Sequence, residues 1–418
     1  MDNNKSYNRA EEKDISMIYN SRTSLNPHLM ELEYFFLTEE NAKRDNTQTL
    51  PPIIKWPGGK EKELKYILPN VPAFNRFFEP FVGGGSVFMA IQAQEYYIND
   101  LSSELISLYN SIATYDKKFF RYVEMMDKSW ENAVAFFNDN HILIDIYLKY
   151  REEKITKEEL KTFVQNFCAE RKKSILDIIG EEFTSLSCIL LKEMEINLFR
   201  KMTRMRELEI KKHILSYSDL LENIKTAVKS AVYMNYRYMY NRKDIENYNK
   251  SLQAALFFFI RNYAYCSMFR YSSKGEFNVP YGGIAYNSKL MAKKLNYYRS
   301  KPLLQHFANT QIFNLDFETF LRETRPTKND FVFLDPPYDS EFSTYAQNTF
   351  TCDDQKRLAD YMINECEAKW MIIIKNTDFI FNLYNKEGIN IKAFDKEYLV
   401  SFMNRNDKKV THLIITNY

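Results

Sequence analysis

The tetrapeptide Asp335-Pro336-Pro337-Tyr338 directly follows an apolar run, residues 331–334. Two prolines fix two φ angles and remove two N–H donors, so the segment offers the Asp335 carboxylate and the Pro336 carbonyl as acceptors. Two acceptors that each take one hydrogen of an aromatic amine localise the lone pair of that nitrogen, which can then attack a sulfonium methyl group. The Tyr338 ring can stack on a base that has left its helix. By itself the motif also fits an ordinary proline-rich turn.

A glycine loop, EPFVGGGS at residues 79–86, lies between a predicted strand and a predicted helix. Its glycines allow a ligand to approach the backbone closely, and the start of the helix aims N–H groups at polar or anionic groups. The loop matches neither GK[ST] nor GxGxxG, because Val87 and Phe88 follow Ser86. Asp100, at the end of the next predicted strand, can accept both hydroxyls of a ribose. These residues predict a nucleoside ligand, and a tight turn followed by a surface acid remains the alternative.

The elements around these residues alternate between strands and helices. Strand, glycine loop, helix, strand and acid make up the start of a doubly wound α/β sheet. The segments FVFL, KWMIIIKNT and VTHLIITNY predict buried strands, and 353–367 predicts a helix. Between 111 and 255 glycine is nearly absent, and charged and aromatic residues recur at helical spacing. We therefore predict an extension (1–50), a first catalytic part (51–110), a helical insertion (111–255) and a second catalytic part (256–418).

The insertion combines cations with aromatic residues. The cations and aromatics in question are Arg200, Lys201, Arg204, Arg206, Lys211, Lys212, Tyr233, Tyr236, Arg237, Tyr238, Tyr240 and Arg242. They predict contacts to phosphates and bases of a nucleic acid. The structural alternative is a set of solvated basic helices whose charge is partly cancelled by neighbouring glutamates.

Composition limits which other classes of protein and which kinds of site the sequence can represent. A net charge of +2 permits nucleic-acid binding without arguing for it. The five cysteines form no CxxC pair, so neither a zinc site nor a disulfide framework is expected, and no metal ligand set is visible. No signal-peptide pattern opens the chain, and no apolar run approaches the ~20 residues that cross a bilayer. We expect a cytoplasmic protein.

Several segments together resemble the Dam-like DNA adenine-N6 methyltransferases, over about 51–110 and 255–418. The order of glycine loop, recognition insertion and DPPY is the alpha arrangement of that family. The similar segments are KWPGGK (55–60), EPFVGGGSVF (79–88), FRYSSKGEFNVPYGG (269–283), LDF (315–317) and DPPY (335–338). Two positions depart from the family: Cys266-Ser267 stands where it has Asn-Gly, and Lys375-Asn376 where it has Ser-Asn.

The resemblance implies an α/β fold, a Rossmann-like methyltransferase sheet with an inserted, mainly helical target-recognition domain. It implies methyl transfer from S-adenosylmethionine to adenine N6 in double-stranded DNA, with base flipping. The implied catalytic residues are Asp335, Pro336, Pro337 and Tyr338. The implied cofactor contacts are Trp56, Lys60, Pro80, Phe81, Gly83, Gly85, Ser86, Asp100, Asp316, Phe317 and Asp335. The expected DNA contacts are Arg200, Lys201, Arg204, Arg237, Arg270, Lys274 and Asn278.

Two alternatives remain at this point. A cytosine-N4 methyltransferase would use the same chemistry, because both targets are exocyclic amines. A non-catalytic DNA-binding protein on a methyltransferase scaffold is a different class, and the presence of Lys60, Asp100 and DPPY argues against it. A restriction endonuclease acting on the same DNA site is a further expected partner.

Overall fold

A computed structural model of the chain describes residues 49–186, 188–337, 350–397 and 409–418. Residues 1–48, which make up nearly all of the predicted N-terminal extension, lie outside the described residues, and so does Tyr338.

A seven-stranded sheet with the order β3-β2-β1-β4-β5-β7-β6 forms the centre of the fold. The strands are β1 Arg76–Glu79, β2 Glu95–Asn99, β3 Thr310–Phe313, β4 Phe331–Leu334, β5 Lys369–Lys375, β6 Asn390–Glu397 and β7 Lys409–Thr416. The strands from β3 through β5 pair in parallel, whereas β7 runs antiparallel to both β5 and β6. This is the predicted doubly wound α/β fold with an added antiparallel edge.

The central strands are apolar on both faces, as strands covered by helices on both sides must be. In β1, Phe77 belongs to one buried cluster and Phe78 to another. Neighbouring β4 alternates in the same way, with Phe331 in the first cluster and Val332 in the second. The sheet therefore separates two cores, and each strand contributes alternate side chains to each.

Helices connect the strands and make up the insertion. They are α1 Leu64–Ile67, α2 Ser86–Ala90, α3 Ser103–Ala113, α4 Lys117–Asn138, α5 Ile142–Arg151, α6 Lys157–Glu170, α7 Lys172–Asp177, α8 Gly180–Leu186, α9 Leu190–Lys211, α10 Tyr217–Asn241, α11 Lys250–Tyr263, α12 Ala292–Tyr298, α13 Lys301–Ala308, α14 Phe317–Thr324, α15 Cys352–Asn364 and α16 Asp378–Tyr384. The predicted boundaries at 110 and 255 fall inside α3 and α11. None of the helices within the described ranges is long and apolar enough to cross a membrane.

Local sequence explains where several of these helices begin. Thr156 and Glu159 form a capping box at the start of α6, and Ser216 and Asp219 form another at α10. In each box the hydroxyl accepts from the third backbone N–H, and the acid accepts from the cap's own N–H.

The direction of the strand order reverses between β1 and β4. From β1 the chain continues outward through β2 to β3, while β4 lies on the other side of β1 and leads to β5. In open α/β sheets the crevice at such a point, beyond the carboxyl ends of the strands, is where ligands bind. The glycine loop follows β1 and DPPY follows β4, so both predicted motifs begin at this crevice.

Candidate functional site

The glycine loop packs tightly between neighbouring segments. Gly85 has φ +82°, in the left-handed region, and a Cβ there would lie 2.5 Å from the Tyr109 hydroxyl. A Cβ on Gly84 would lie 2.5 Å from the Ile54 carbonyl oxygen, and one on Gly83 would lie 2.8 Å from the Trp56 ring. The backbone in this loop therefore comes as close to its surroundings as glycine alone permits.

Lys60 links the KWPGGK segment to DPPY. Its Nζ donates to Asp335 Oδ2 at 2.5 Å and to the Gly58 carbonyl at 2.8 Å. The Lys60 side chain is 3% exposed and that of Asp335 is 19% exposed. A charge pair this sheltered from water holds its partners in one arrangement. Two predicted motifs 275 residues apart thus meet at one point.

Asp100 is held beside the glycine loop by two backbone amides. Its Oδ2 accepts from Gly83 N at 3.1 Å, and its Oδ1 accepts from Ser102 N at 2.8 Å. Burial raises the pKa of Asp100 to about 6, although both amide hydrogen bonds oppose the shift. A carboxylate oxygen has two lone pairs, so each oxygen retains capacity for one more donor, as the predicted ribose contact requires.

Glu79 is a candidate site residue that the sequence predictions missed. It is the last residue of β1, its side chain is 2% exposed, and its Oε2 has no hydrogen-bond partner among the described residues. Burial, followed by repulsion from Asp335, raises the pKa of Glu79 well above its usual range. This environment favours the neutral carboxylic acid. The available signal was an acid at the carboxyl end of a predicted strand, directly before the glycine loop.

Asn99 is a second missed residue, and it connects the site's backbone segments. Its Nδ2 donates to the carbonyls of Pro80 and Leu315, each at 3.0 Å. Its Oδ1 accepts from Leu315 N at 2.8 Å. Both amide hydrogens are therefore used to align the glycine loop with the LDF segment that ends in Asp316 and Phe317.

Aromatic rings lie on both sides of the loop. Trp56 contacts Phe269 edge to face, with ring centroids 4.8 Å apart. Phe81 and Phe317 have centroids 5.6 Å apart, and each lies 5.7 Å from Phe350, which the sequence predictions did not include. The predicted cofactor contacts Phe81 and Phe317 are thus neighbours, and Phe350 completes a group of three rings.

The remaining predicted residues near the crevice have defined positions. Ser86 is buried at the start of α2, and Asp316 caps α14 by accepting from Glu318 N at 3.0 Å. Pro336 is buried and Pro337 exposed, and the Pro337 carbonyl accepts from Gln355 Nε2 at 2.9 Å.

Six of the seven predicted DNA contacts fall on α9 and in a hairpin, and the seventh, Arg237, lies on α10. Arg200, Lys201 and Arg204 lie on α9, where Arg200 donates to Asn197 and Arg204 pairs with Glu207. Arg270, Lys274 and Asn278 lie in a hairpin closed by the Tyr271–Phe277 bridge, in which Arg270 Nε donates to Asn278 Oδ1 at 2.7 Å.

Part of the basic–aromatic interpretation of the insertion is wrong. Tyr233, Tyr236 and Tyr240 are buried in the core, so their rings are not available to stack on bases. Arg237 is half-buried and donates to the Val279 carbonyl at 3.1 Å, which ties α10 to the segment after the hairpin. The three tyrosines are buried because the helical spacing that exposes one face of α10 buries the other.

Cys266-Ser267, where the sequence departs from the family that it resembles, forms a left-handed turn. Cys266 has φ +51° and Ser267 has φ +49°. Asn and Gly are the residues that adopt this region most readily. Cys and Ser occupy it here at a cost of order 1–3 kcal/mol each.

Within the described segments, no group of three or more His, Cys, Asp or Glu is arranged to hold a metal ion.

Comparison with known proteins adds a family and relatives. A family model described as D12 class N6 adenine-specific DNA methyltransferase matches residues 56–205 and 191–398. A type II methyltransferase of Lactococcus lactis subsp. cremoris, M1.LlaDCHI, is 24% identical over 388 residues, covering 90% of this chain and 99% of the relative. The type II methyltransferase M.MjaIII of Methanocaldococcus jannaschii is 24% identical over 388 residues, covering 88% and 99%. A DNA adenine methylase of Escherichia coli strain K12 is 23% identical over 338 residues, covering 78% and 80%.

Proposed function

The chain belongs to the D12 class N6 adenine-specific DNA methyltransferase family, and we propose that residues 335–337 present adenine N6 to S-adenosylmethionine bound against the glycine loop. Membership of this family identifies adenine N6, rather than cytosine N4, as the amine that is methylated. The observation that carries the proposal is the 2.5 Å contact between Lys60 and Asp335, because it brings the DPPY segment to the KWPGGK segment beside the loop.

The residues around the loop suit a nucleoside sulfonium cofactor. Asp100 has acceptor capacity for ribose hydroxyls, and the glycine cradle excludes any added Cβ. The buried Glu79 provides a polar group whose Oε2 has no donor or acceptor partner among the described residues. The residues that would hold the cofactor are Trp56, Lys60, Pro80, Phe81, Gly83, Gly85, Ser86, Asp100, Asp316, Phe317 and Asp335. When bound, S-adenosylmethionine supplies an electrophilic methyl group on sulfur.

The protein's own contribution is to orient the amine. The Asp335 carboxylate and the Pro336 carbonyl each accept one N6 hydrogen, which localises the nitrogen lone pair. Lys60 fixes the orientation of Asp335 through its short contact. The attack would form an N–C bond while the methyl–sulfur bond breaks and a neutral thioether leaves. N6 then loses one proton, and the Asp335 carboxylate is the acceptor that already holds that hydrogen. Such positioned acceptors need no reorganisation at the moment of reaction.

The position of the site in the crevice indicates how the target base must be presented to it. A base inside a duplex cannot reach a crevice at the end of a sheet, so the target adenine must leave the stack. We propose double-stranded DNA as the substrate, with the hairpin 270–278 and α9 contacting the duplex and Tyr338 stacking on the extruded base. Two relatives are named type II methyltransferases, and we further propose a restriction endonuclease acting on the same site as a partner and the cytoplasm as the location.

Radiolabelled methyl transfer tests the activity. We expect incubation with labelled S-adenosylmethionine and varied duplexes, followed by nucleoside analysis, to yield N6-methyladenine; N4-methylcytosine would overturn the assignment. Asp335→Ala is expected to abolish turnover while DNA binding survives, and turnover retained in this variant would refute the role of Asp335. Sequencing methylated DNA from cells that express the protein would identify the recognition site.

A further inference from the structure

We propose, on the basis of the function proposed above, that α15 is the element that positions both halves of the site. Gln355 holds the base-presenting segment 335–337, and Arg357 holds Asp316 and Phe317 on the cofactor's adenine side. Both are positioning residues, because they act through the groups they hold. The helix starts soon after DPPY along the chain, yet it also contacts the segment that follows β3.

Gln355 anchors a segment that has few anchors of its own. Pro336 and Pro337 lack N–H groups, so residues 335–337 can be tied to the protein at these positions only through acceptors. Gln355 Nε2 donates to the Pro337 carbonyl at 2.9 Å from a side chain that is 1% exposed. Because an amide oxygen there would face another oxygen, this contact also determines which way the amide points.

The cost of this arrangement indicates that it is specific. Gln355 Oε1 is buried and has no hydrogen-bond partner in the described part of the chain. A buried acceptor without a donor costs about 1–3 kcal/mol, which an apolar side chain of the same size would avoid. The amide is therefore better explained by the donor that it supplies to Pro337 than by packing.

Arg357 acts on the other half of the site. Its Nη1 and Nη2 donate to Oδ1 and Oδ2 of Asp316, each at 2.8 Å, and its guanidinium lies 4.4 Å from the centroid of the Phe317 ring. This two-pronged contact requires the planar fork of arginine, which lysine cannot reproduce. The guanidinium therefore fixes two groups at the start of α14: the carboxylate of Asp316, which precedes the helix, and the ring of Phe317, its first residue.

The hydrogen bonds of Asp316 fix its carboxylate and favour its ionised form. Oδ1 accepts from Arg357 and from Glu318 N, Oδ2 accepts from Arg357, and the Thr319 amide also donates to the carboxylate. Burial raises the pKa of Asp316, but the hydrogen bonds from Arg357 and the Glu318 amide outweigh it, so the net shift is downward. An ionised Asp316 held in this way is a fixed acceptor on the side of the site that we assign to the adenine of the cofactor.

The first turn of α15 is itself anchored. Thr351 and Asp354 form a capping box, and Asp354 Oδ1 also accepts from Arg357 at 3.0 Å. Phe350, immediately before the cap, packs against Phe81 and Phe317. Residues 355 and 357 point in directions about 200° apart around the helix. One rigid turn can therefore reach the end of β4 with one side chain and the start of α14 with the other.

Two variants separate the two functions. Gln355→Leu removes the donor to Pro337, and we expect kcat to fall about tenfold while the cofactor Kd, measured by calorimetry without DNA, stays within twofold. Arg357→Lys removes the two-pronged contact, and we expect the cofactor Kd to rise about tenfold while kcat at saturating cofactor stays within threefold. Lys356→Ala is the matched control, because that exposed side chain lies between them in the sequence and pairs with the exposed Asp353.

A third variant gives a signature that a merely structural role would not. In Gln355→Glu a carboxyl faces the Pro337 carbonyl, and only its protonated form can donate. We expect the kcat deficit of Gln355→Glu to shrink as the pH falls, while that of Gln355→Leu stays constant relative to the unchanged protein. If Gln355→Leu does not fold, the pH dependence of kcat in Gln355→Glu relative to the unchanged protein still tests the contact, and a kcat deficit that does not shrink as the pH falls would overturn it.

The outcomes are distinguishable from a failure of the proposed function. If the unchanged protein forms no N6-methyladenine, the proposed function fails. If it does, unchanged kcat and cofactor Kd in both Gln355→Leu and Arg357→Lys would overturn the positioning role. A fall in kcat together with a rise in cofactor Kd in each variant would overturn it as well, and so would identical pH profiles for Gln355→Glu and Gln355→Leu.

Discussion

Lys60 Nζ lies 2.5 Å from Asp335 Oδ2, and this contact joins a segment that precedes β1 to the residue that follows β4. It lies where the strand order reverses, which is where the fold leaves a crevice. The pair therefore connects the cofactor and target-base sides of the proposed site.

Lys60→Met should destabilise the protein and abolish cofactor binding. Removing one partner of a sheltered ion pair leaves the other charge uncompensated, and we expect a loss of about 3 kcal/mol in the free energy of unfolding. Urea unfolding and calorimetry measure the two effects. Lys62→Met, at an exposed position nearby, serves as the control. Equal losses in both variants would contradict the assigned role of the pair.

Gly85→Ala should cost more than its backbone torsion alone. Gly180 has a similar φ of +78° with open space around it, so Gly180→Ala measures the cost of that torsion, about 1–2 kcal/mol. Gly85→Ala adds the clash with the Tyr109 hydroxyl, and we expect thermal unfolding to show a clearly larger loss. Combining it with Tyr109→Phe should recover part of the difference. Identical losses at the two glycines would show that the loop is not tightly packed.

Cofactor affinity should weaken as the pH falls through about 6, the value to which burial raises the pKa of Asp100. The ionised carboxylate is the form that accepts ribose hydroxyls well, so the cofactor Kd should rise by up to about tenfold per pH unit below that point. Calorimetry across this range measures the slope, and Asp100→Asn should flatten it. The same slope in Asp100→Asn would assign the titration to another group.

The shift at Asp100 has the opposite consequence for folding. Because the folded protein binds this proton more tightly than the unfolded chain does, the group favours the folded state in full below its ordinary pKa. That contribution disappears as the pH rises through about 6. Without cofactor, Asp100→Asn should therefore gain stability relative to the unchanged protein at pH 8, and this gain should be smaller at pH 5.

DNA affinity should fall with salt, and Lys274→Ala should reduce that dependence. Each phosphate contact contributes about 0.9 to the slope of log K against log salt, so losing one should lower the slope by about 0.9. Lys328→Ala is the control, because this exposed lysine precedes the amino end of β4, whereas the crevice lies beyond the carboxyl ends of the strands. An unchanged slope in Lys274→Ala would remove Lys274 from the DNA contacts.

Local sequence was sufficient for elements whose signals are themselves local. FVFL, KWMIIIK and VTHLIIT were recognisable as strands because β4, β5 and β7 are apolar runs. The strands β3 and β6 were not predicted, since TQIF is short and NIKAFDKE is polar, and both form the edges of the sheet. An edge strand buries less apolar surface, so it carries less of the pattern that reveals a strand.

The sequence by itself determined the types of chemistry and their order along the chain: a glycine loop, an acid, a helical insertion and an acceptor-rich proline segment. Tertiary structure alone decided which groups meet, such as Lys60 with Asp335, Gln355 with Pro337 and Arg357 with Asp316. It also decided that Tyr233 and Tyr236 face the core. Torsional restrictions and apolar runs are properties of neighbouring residues, whereas these contacts depend on how strands and helices far apart in the chain pack together.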